Sequence, residues 1–205
     1  MENKNYQEDL QHIRKMMEKS SRFISLSGIS GVFAGLFALA GAIYVYFFFK
    51  KNGVDYFEGT LKYYEKDFIV HLVIVAMFIM VLAISSGAYF TIKKSKAHHL
   101  QIWDATTKKL LYNFAIPLGI GGLFCAGLLY HGLHGLLSPA TLIFYGLALF
   151  NAGNYTFSDI KYLGLCEMAL GIVSLFFLGY GLFFWAIGFG VLHIVYGLIM
   201  HKKYK

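Results

Sequence analysis

Apolar residues in this chain do not alternate with polar ones at a strand period, nor do they mark one face of a helix. They form long, nearly unbroken runs. Six runs of 19 to 28 residues occupy 23–49, 68–92, 110–137, 139–157, 160–179 and 181–200. About 20 apolar residues coiled as a helix cross a hydrocarbon core roughly 30 Å thick, and in lipid a helix satisfies its own backbone hydrogen bonds. Transmembrane strands are excluded, because they need alternating segments of about ten residues. The pattern predicts an all-α, polytopic integral membrane protein, with a six-helix bundle over 23–200. Ser138 and Pro139 form the joint between runs three and four, and Gly179 to Gly181 the joint between five and six, so both pairs read as hairpins.

The flanks read differently. Within 1–22, Asn5 with Glu8 resembles an N-cap and its reciprocal acid, and Tyr6, Leu10, Ile13 and Met17 recur at helical spacing. This predicts a short amphipathic cytoplasmic helix, lying on the inner leaflet or pairing with a partner helix. Residues 201–205 form a basic cytoplasmic tail. The first apolar run begins only after 22 residues and is 27 long, which reads as a retained span and not as a cleaved signal.

Composition agrees with this reading. Hydrophobic residues make up 58% of the chain, charged residues 14%, and the mean hydropathy is +0.58, values that exclude a water-soluble globule. Too little chain remains outside the runs for a soluble catalytic or nucleic-acid-binding domain. Alternate loops hold fourteen and four of the Lys and Arg residues. Since cytoplasmic segments retain the positive excess, both termini are expected in the cytoplasm of a multi-pass protein of the plasma or inner membrane. The net charge of +7 is then explained by loops facing anionic headgroups, and no nucleic-acid partner is expected. Cys125 and Cys166 fall at different depths inside runs, so they read as packing residues.

Glu167 is the single acidic residue inside a run, and an ionisable group in lipid costs enough to suggest a function. It shares a strip with Gly164, Gly171 and Ser174. His193 shares an equivalent strip with Ala186, Gly190 and Gly197. Each lies thirteen residues from Tyr180, so an antiparallel hairpin sets them at one depth, roughly 10 Å from the cytoplasmic ends. Ser85, Asn151 and Asn154 fall in the same inner half. Together these residues predict a polar cavity open to the cytoplasm, a ligand or proton site built on Glu167, His193, Asn151, Asn154 and Ser85. The competing reading is a structural tie between the last two helices.

Three further features carry weaker chemistry. His131 and His134, three residues apart near the outer end of run three, can share a helical face, and His71 opens run two on the same side, so the three are candidates for a transition metal or, as a pair, for haem. Interfacial histidines bonded to headgroups or backbone are the alternative, and no cofactor is expected. Ser27, Gly31 and Gly35 form a small-residue strip suited either to packing within the chain or to a homo-oligomer contact. No phosphate-cradling loop or nucleophile elbow occurs, so an enzyme is not expected. The functional expectation is a small permease or channel for a proton, cation or small ligand; the alternative is a membrane sensor or interaction subunit without transport.

Overall fold

The structure, a computed structural model, describes residue 23 and residues 26–54, 65–99 and 102–204. The amphipathic arm expected at 1–22 lies outside the described residues. What is described is helical, with no strand among the described residues.

Helix α1 spans Gly28–Lys51, α2 Lys66–Ala97, α3 Ala105–Tyr130, α4 Leu137–Ala152 and α5 Asp159–Leu175. The last rod is composite: α6 covers Gly181–Trp185, a π-helical turn covers Ala186–Leu192, and α7 covers His193–Lys203. Charge at the ends suits the helix dipole, with Lys50 and Lys51 in the last turn of α1, and Lys94 and Lys96 in the last turn of α2. Asp104 caps α3 by accepting both the amide and the hydroxyl of Thr107 at 2.7 Å. The Thr107 amide bond holds the Asp104 carboxyl below the usual carboxylate range.

Among the described residues, five helical stretches are long and apolar enough to cross a membrane. The sixth, α5, has 17 residues, about 25 Å at 1.5 Å per residue, slightly less than a typical hydrocarbon core. Several expected boundaries move, run two extending to Ala97, run three starting at Ala105, run four ending at Ala152 and run five at Leu175. Run three ends as a helix at Tyr130, not 137, because Gly132 adopts φ +73° and turns the chain. The joint therefore lies at 131–136, including a 3₁₀ turn at His134–Leu136, and Ser138 and Pro139 sit in the first turn of α4. Proline is tolerated there because the first-turn N–H groups have no helical partner to lose. Run one begins as a helix at Gly28 instead of 23.

Packing divides the bundle into two groups joined by the last rod. α1 lies between α2 and the last rod, while α4 lies between α3 and α5. Glycine makes both crossings close. A Cβ on Gly164 would fall 2.6 Å from the Gly146 carbonyl, and one on Gly197 would fall 2.6 Å from the Gly28 carbonyl. The exterior is apolar, and the interior combines apolar side chains such as Leu142, Ala148 and Met200 with polar ones. α2 buries only Ser95 and exposes Val70, Ile74, Met77, Phe78, Val81 and Ile84. The interior meanwhile holds Ser30, Thr156, Glu167, Ser174 and His193.

One end of the bundle is tied by polar contacts. The Phe23 amide donates to the Tyr155 carbonyl at 2.7 Å, and Thr156 Oγ1 donates to the Phe23 carbonyl at 2.6 Å. Lys94 Nζ donates to the carbonyls of Leu26 and Tyr204, at 3.2 and 3.3 Å. Asp159 accepts from Lys203 Nζ at 2.9 Å and from the Tyr204 hydroxyl at 2.6 Å. The two ends of the described chain thus meet at one end of the bundle, beside the lysines in the last turn of α2. An even number of traverses requires this arrangement.

Candidate functional site

Glu167 belongs to the face of α5 that packs inward, between Gly164 and Gly171, and no part of it reaches the surface. His193 is the first residue of α7 and is buried beside it, with Nδ1 3.4 Å from Glu167 Oε1. The pair expected from equal spacing about Tyr180 therefore forms. Its environment is more specific than spacing alone indicates, because the last rod departs from α-helical geometry immediately before His193.

A π turn bonds i to i+5 and widens the helix by one residue. Here it sets the Gly188 carbonyl 3.0 Å from His193 Nδ1, five residues ahead. A carbonyl can only accept, so Nδ1 carries the hydrogen and His193 donates to Gly188. In the neutral ring Nε2 is then the acceptor, and it faces the Tyr145 hydroxyl of α4 at 2.8 Å. Tyr145 donates to it. Gly188 also permits the approach of the acid, since a Cβ at that position would collide with Glu167 Oε2 and with the Leu142 side chain. Phe189 stacks against the His193 ring at 6.0 Å and against Tyr145 at 4.9 Å, closing one wall.

Neither carboxyl oxygen of Glu167 has a hydrogen-bond partner among the described residues. The contact with His193 at 3.4 Å is an electrostatic approach, too long for a good hydrogen bond. A buried carboxylate normally accepts several donors, because stripping its water costs several kcal/mol. The site therefore sets a buried carboxyl without a hydrogen-bond partner among the described residues beside an imidazole that is bonded elsewhere. Ser174, two turns further along α5, is fully buried and its hydroxyl likewise has no partner among the described residues.

The other expected site residues do not join this pair. Ser85 is exposed on α2, which packs on α1 away from α5. Asn154 is exposed beyond the end of α4 and donates to the Asn151 carbonyl at 3.1 Å, while Asn151 is half-buried in the last turn of α4. The polar layer expected at that depth is thus a compact group of Glu167, His193, Tyr145 and the Gly188 carbonyl. A cavity of about 420 Å³ lies toward the opposite end, lined mainly by apolar side chains of α1 and α2 and by the turns near Gly132 and Gly181. Its hydroxyls are already engaged: Ser138 donates to the Gly181 carbonyl and Thr141 to the Ser138 carbonyl.

The histidines and the small-residue strip also resolve. His71 pairs with the Tyr44 hydroxyl at 2.9 Å and stacks on Phe48 at 4.3 Å. His131 caps α3 and His134 opens the following 3₁₀ turn, so they do not share a helical face, because Gly132 ends the helix between them. No cluster of three metal-ligating side chains occurs among the described residues. Of the strip, Gly31 and Gly35 meet the last rod of the same chain, at Gly197 and at Gly190 and Ile194, and Ser27 lies just ahead of α1. The two glycines of the strip are thus in contact within the chain.

Tyr145 and the π turn are the components that hydropathy does not reveal. The only sequence signal was the pair Gly188 and Gly190, two residues apart and just ahead of the buried histidine. No family model, curated protein or solved structure matches the chain.

Proposed function

We propose that this is a multi-pass protein of the cell membrane with both termini in the cytoplasm, acting as a small permease or channel in which Glu167 and His193 take up and release a proton or small cation. Membrane residence is supported by the apolar exterior of α1 and α2 and by five helices of spanning length. Orientation is supported by the excess of Lys and Arg at the end where the two chain ends meet.

One observation carries the transport reading: a fully buried carboxyl group with no hydrogen-bond donor on either oxygen, 3.4 Å from an imidazole. A purely structural tie gains by saturating such a group, as Asp159 is saturated by Lys203 and Tyr204. Leaving Glu167 unsaturated keeps its protonated and ionised forms exchangeable, which is the property a coupling acid needs. Removing either partner would then abolish exchange without dismantling the helix crossings that the glycines provide.

Purified protein in liposomes tests the reading. Under an imposed pH or cation gradient the wild type is expected to carry flux, and Glu167→Gln to lose it while inserting normally. A wild type that moves neither protons nor small cations would leave the rival reading, a membrane sensor or interaction subunit.

A further inference from the structure

The Glu167 pair is one of two polar rungs between α5 and α7. Asp159, Leu163 and Glu167 succeed each other at four-residue steps on α5, and His193, Tyr196, Met200 and Tyr204 at steps of three, four and four along α7 and its cap. The helices run antiparallel, so Glu167 meets His193 at one level and Asp159 meets Tyr204 at the other. Eight residues of α5 separate the rungs, about 12 Å. The lower rung lies at the polar end of the bundle, next to Lys203 and Lys94.

Tyr196 lies between them. Its hydroxyl is buried and has no hydrogen-bond partner among the described residues. Its ring packs with Tyr145 against the same apolar cluster of Leu149, Ile160 and Leu163. Along α7 Tyr196 falls between His193, which Tyr145 bonds, and Tyr204, which bonds Asp159. A hydroxyl donates and accepts at once, so it can pass a proton on without holding a charge. Apolar packing alone would select phenylalanine here, as at Phe189 in the same rod.

The geometry points to Tyr196 as the proton relay between the polar end of the bundle and Glu167, with bound water completing the contacts to Tyr145 and to the Asp159 rung. This rests on the proposed proton chemistry of Glu167. The exchange balances as follows. A proton arriving at the Asp159 rung adds to the Tyr196 oxygen as Tyr196 releases its own proton toward Tyr145. Tyr145 takes that proton and gives its own to His193 Nε2, and the Nδ1 proton leaves the Gly188 carbonyl for Glu167 Oε1 as the 3.4 Å gap between them closes. One O–H or N–H bond forms for each that breaks, His193 ends in the other neutral tautomer, and Glu167 alone changes charge. Tyr196 is a relay residue and touches no transported species other than the proton.

A pH jump on the full chain in liposomes, followed by time-resolved infrared spectroscopy, tests this apart from transport. The signal is the protonated carboxyl band that Glu167→Gln removes. Between about pH 4 and about pH 10, a window set by free carboxyl and phenol groups, the band is expected to equilibrate about tenfold or more slowly in Tyr196→Phe than in wild type, with its midpoint unchanged. Tyr145→Phe is expected to slow it likewise, and Ser174→Ala, on the far side of Glu167, to leave it at the wild-type rate. Because the Tyr196 hydroxyl has no protein hydrogen-bond partner among the described residues, phenylalanine keeps the packing and the fold. A Tyr196→Phe rate within tenfold of wild type overturns the relay, as does a Glu167 band that never titrates in that window. Flux in the same vesicles reads the transport proposal separately: slowed exchange without wild-type flux upholds the relay and removes the permease.

Discussion

Gly188 and Gly190 lie two residues apart on one π turn and face opposite neighbours. Toward α1, Gly190 admits the tip of Leu39; toward α4 and α5, Gly188 admits the Glu167 carboxyl and Leu142. The α1 side is a packing seam in which backbones approach at Gly28, Gly31 and Gly197 and little polar chemistry is buried apart from Ser30, which bonds the Ser27 carbonyl within its own segment. The α5 side spends the same backbone freedom on bringing an acid against a histidine. Close approach thus serves adhesion on one face and proximity of ionisable groups on the other, and substitution can separate the two uses.

The largest effect is expected from His193→Ala, which removes the imidazole beside a fully buried carboxyl. Breaking such a pair costs about 3 to 5 kcal/mol unless the acid stays protonated, and thermal unfolding in detergent should record a loss of that order. Next comes the α1 seam. Gly197→Ala places a methyl on the Gly28 carbonyl and the Val32 amide, backbone atoms that cannot swing aside, and overpacking of this kind costs about 1 to 3 kcal/mol. It should lower the melting temperature, with liposome flux retained by those molecules that fold.

The two glycines of the π turn give the sharpest contrast for a smaller change in stability. Each added methyl meets flexible side-chain ends, and the gain in helix propensity, about 1 kcal/mol, offsets part of the crowding. Gly190→Ala and Gly188→Ala should therefore unfold within about 1 kcal/mol of wild type. Only Gly188→Ala displaces the carboxyl, and a shift near 1 Å can cost about 100-fold in a reaction that depends on alignment. Liposome flux lost in Gly188→Ala and kept in Gly190→Ala is the expected outcome; equal losses would erase the distinction between the faces.

The smallest effect belongs to the polar end. Burial pushes the Asp159 carboxyl up, but the bonds from Tyr204 and Lys203 outweigh it and hold the group below the usual carboxylate range. A carboxyl lowered on folding contributes stability above its unfolded value, near 3.9, and that contribution is lost as pH falls through the lower folded value. Lys203 is about half exposed, and such pairs contribute about 0.2 to 1 kcal/mol. Asp159→Asn should therefore lower stability slightly at neutral pH, with the difference vanishing in strong acid.

Helix type, approximate spans and the meeting of Glu167 with His193 were legible in the sequence, because hydropathy and equal spacing about a turn depend on one periodicity that the chain largely keeps. Legibility failed where that periodicity breaks. Gly132 ended α3 early and parted His131 from His134, which a continuous apolar run conceals. Ser85 was placed at the right depth on a helix that packs elsewhere, since depth along a span says nothing of azimuth or neighbour. Tyr145 escaped notice because a tyrosine in an apolar run ordinarily reads as packing. The cavity lies toward the apolar end instead of the expected polar one, because the polar groups of the inner half are used to close the bundle there.

The central claim is that Glu167 and His193 act on each other inside the bundle, and a double-mutant cycle on unfolding free energy tests it most directly. His193→Ala leaves the carboxyl buried and unpaired; adding Glu167→Gln removes the charge that made the loss severe. The double variant is predicted to be more stable than His193→Ala alone, with a coupling of about 0.5 to 3 kcal/mol. Effects that simply add, leaving the double variant the least stable of the set, would contradict the account.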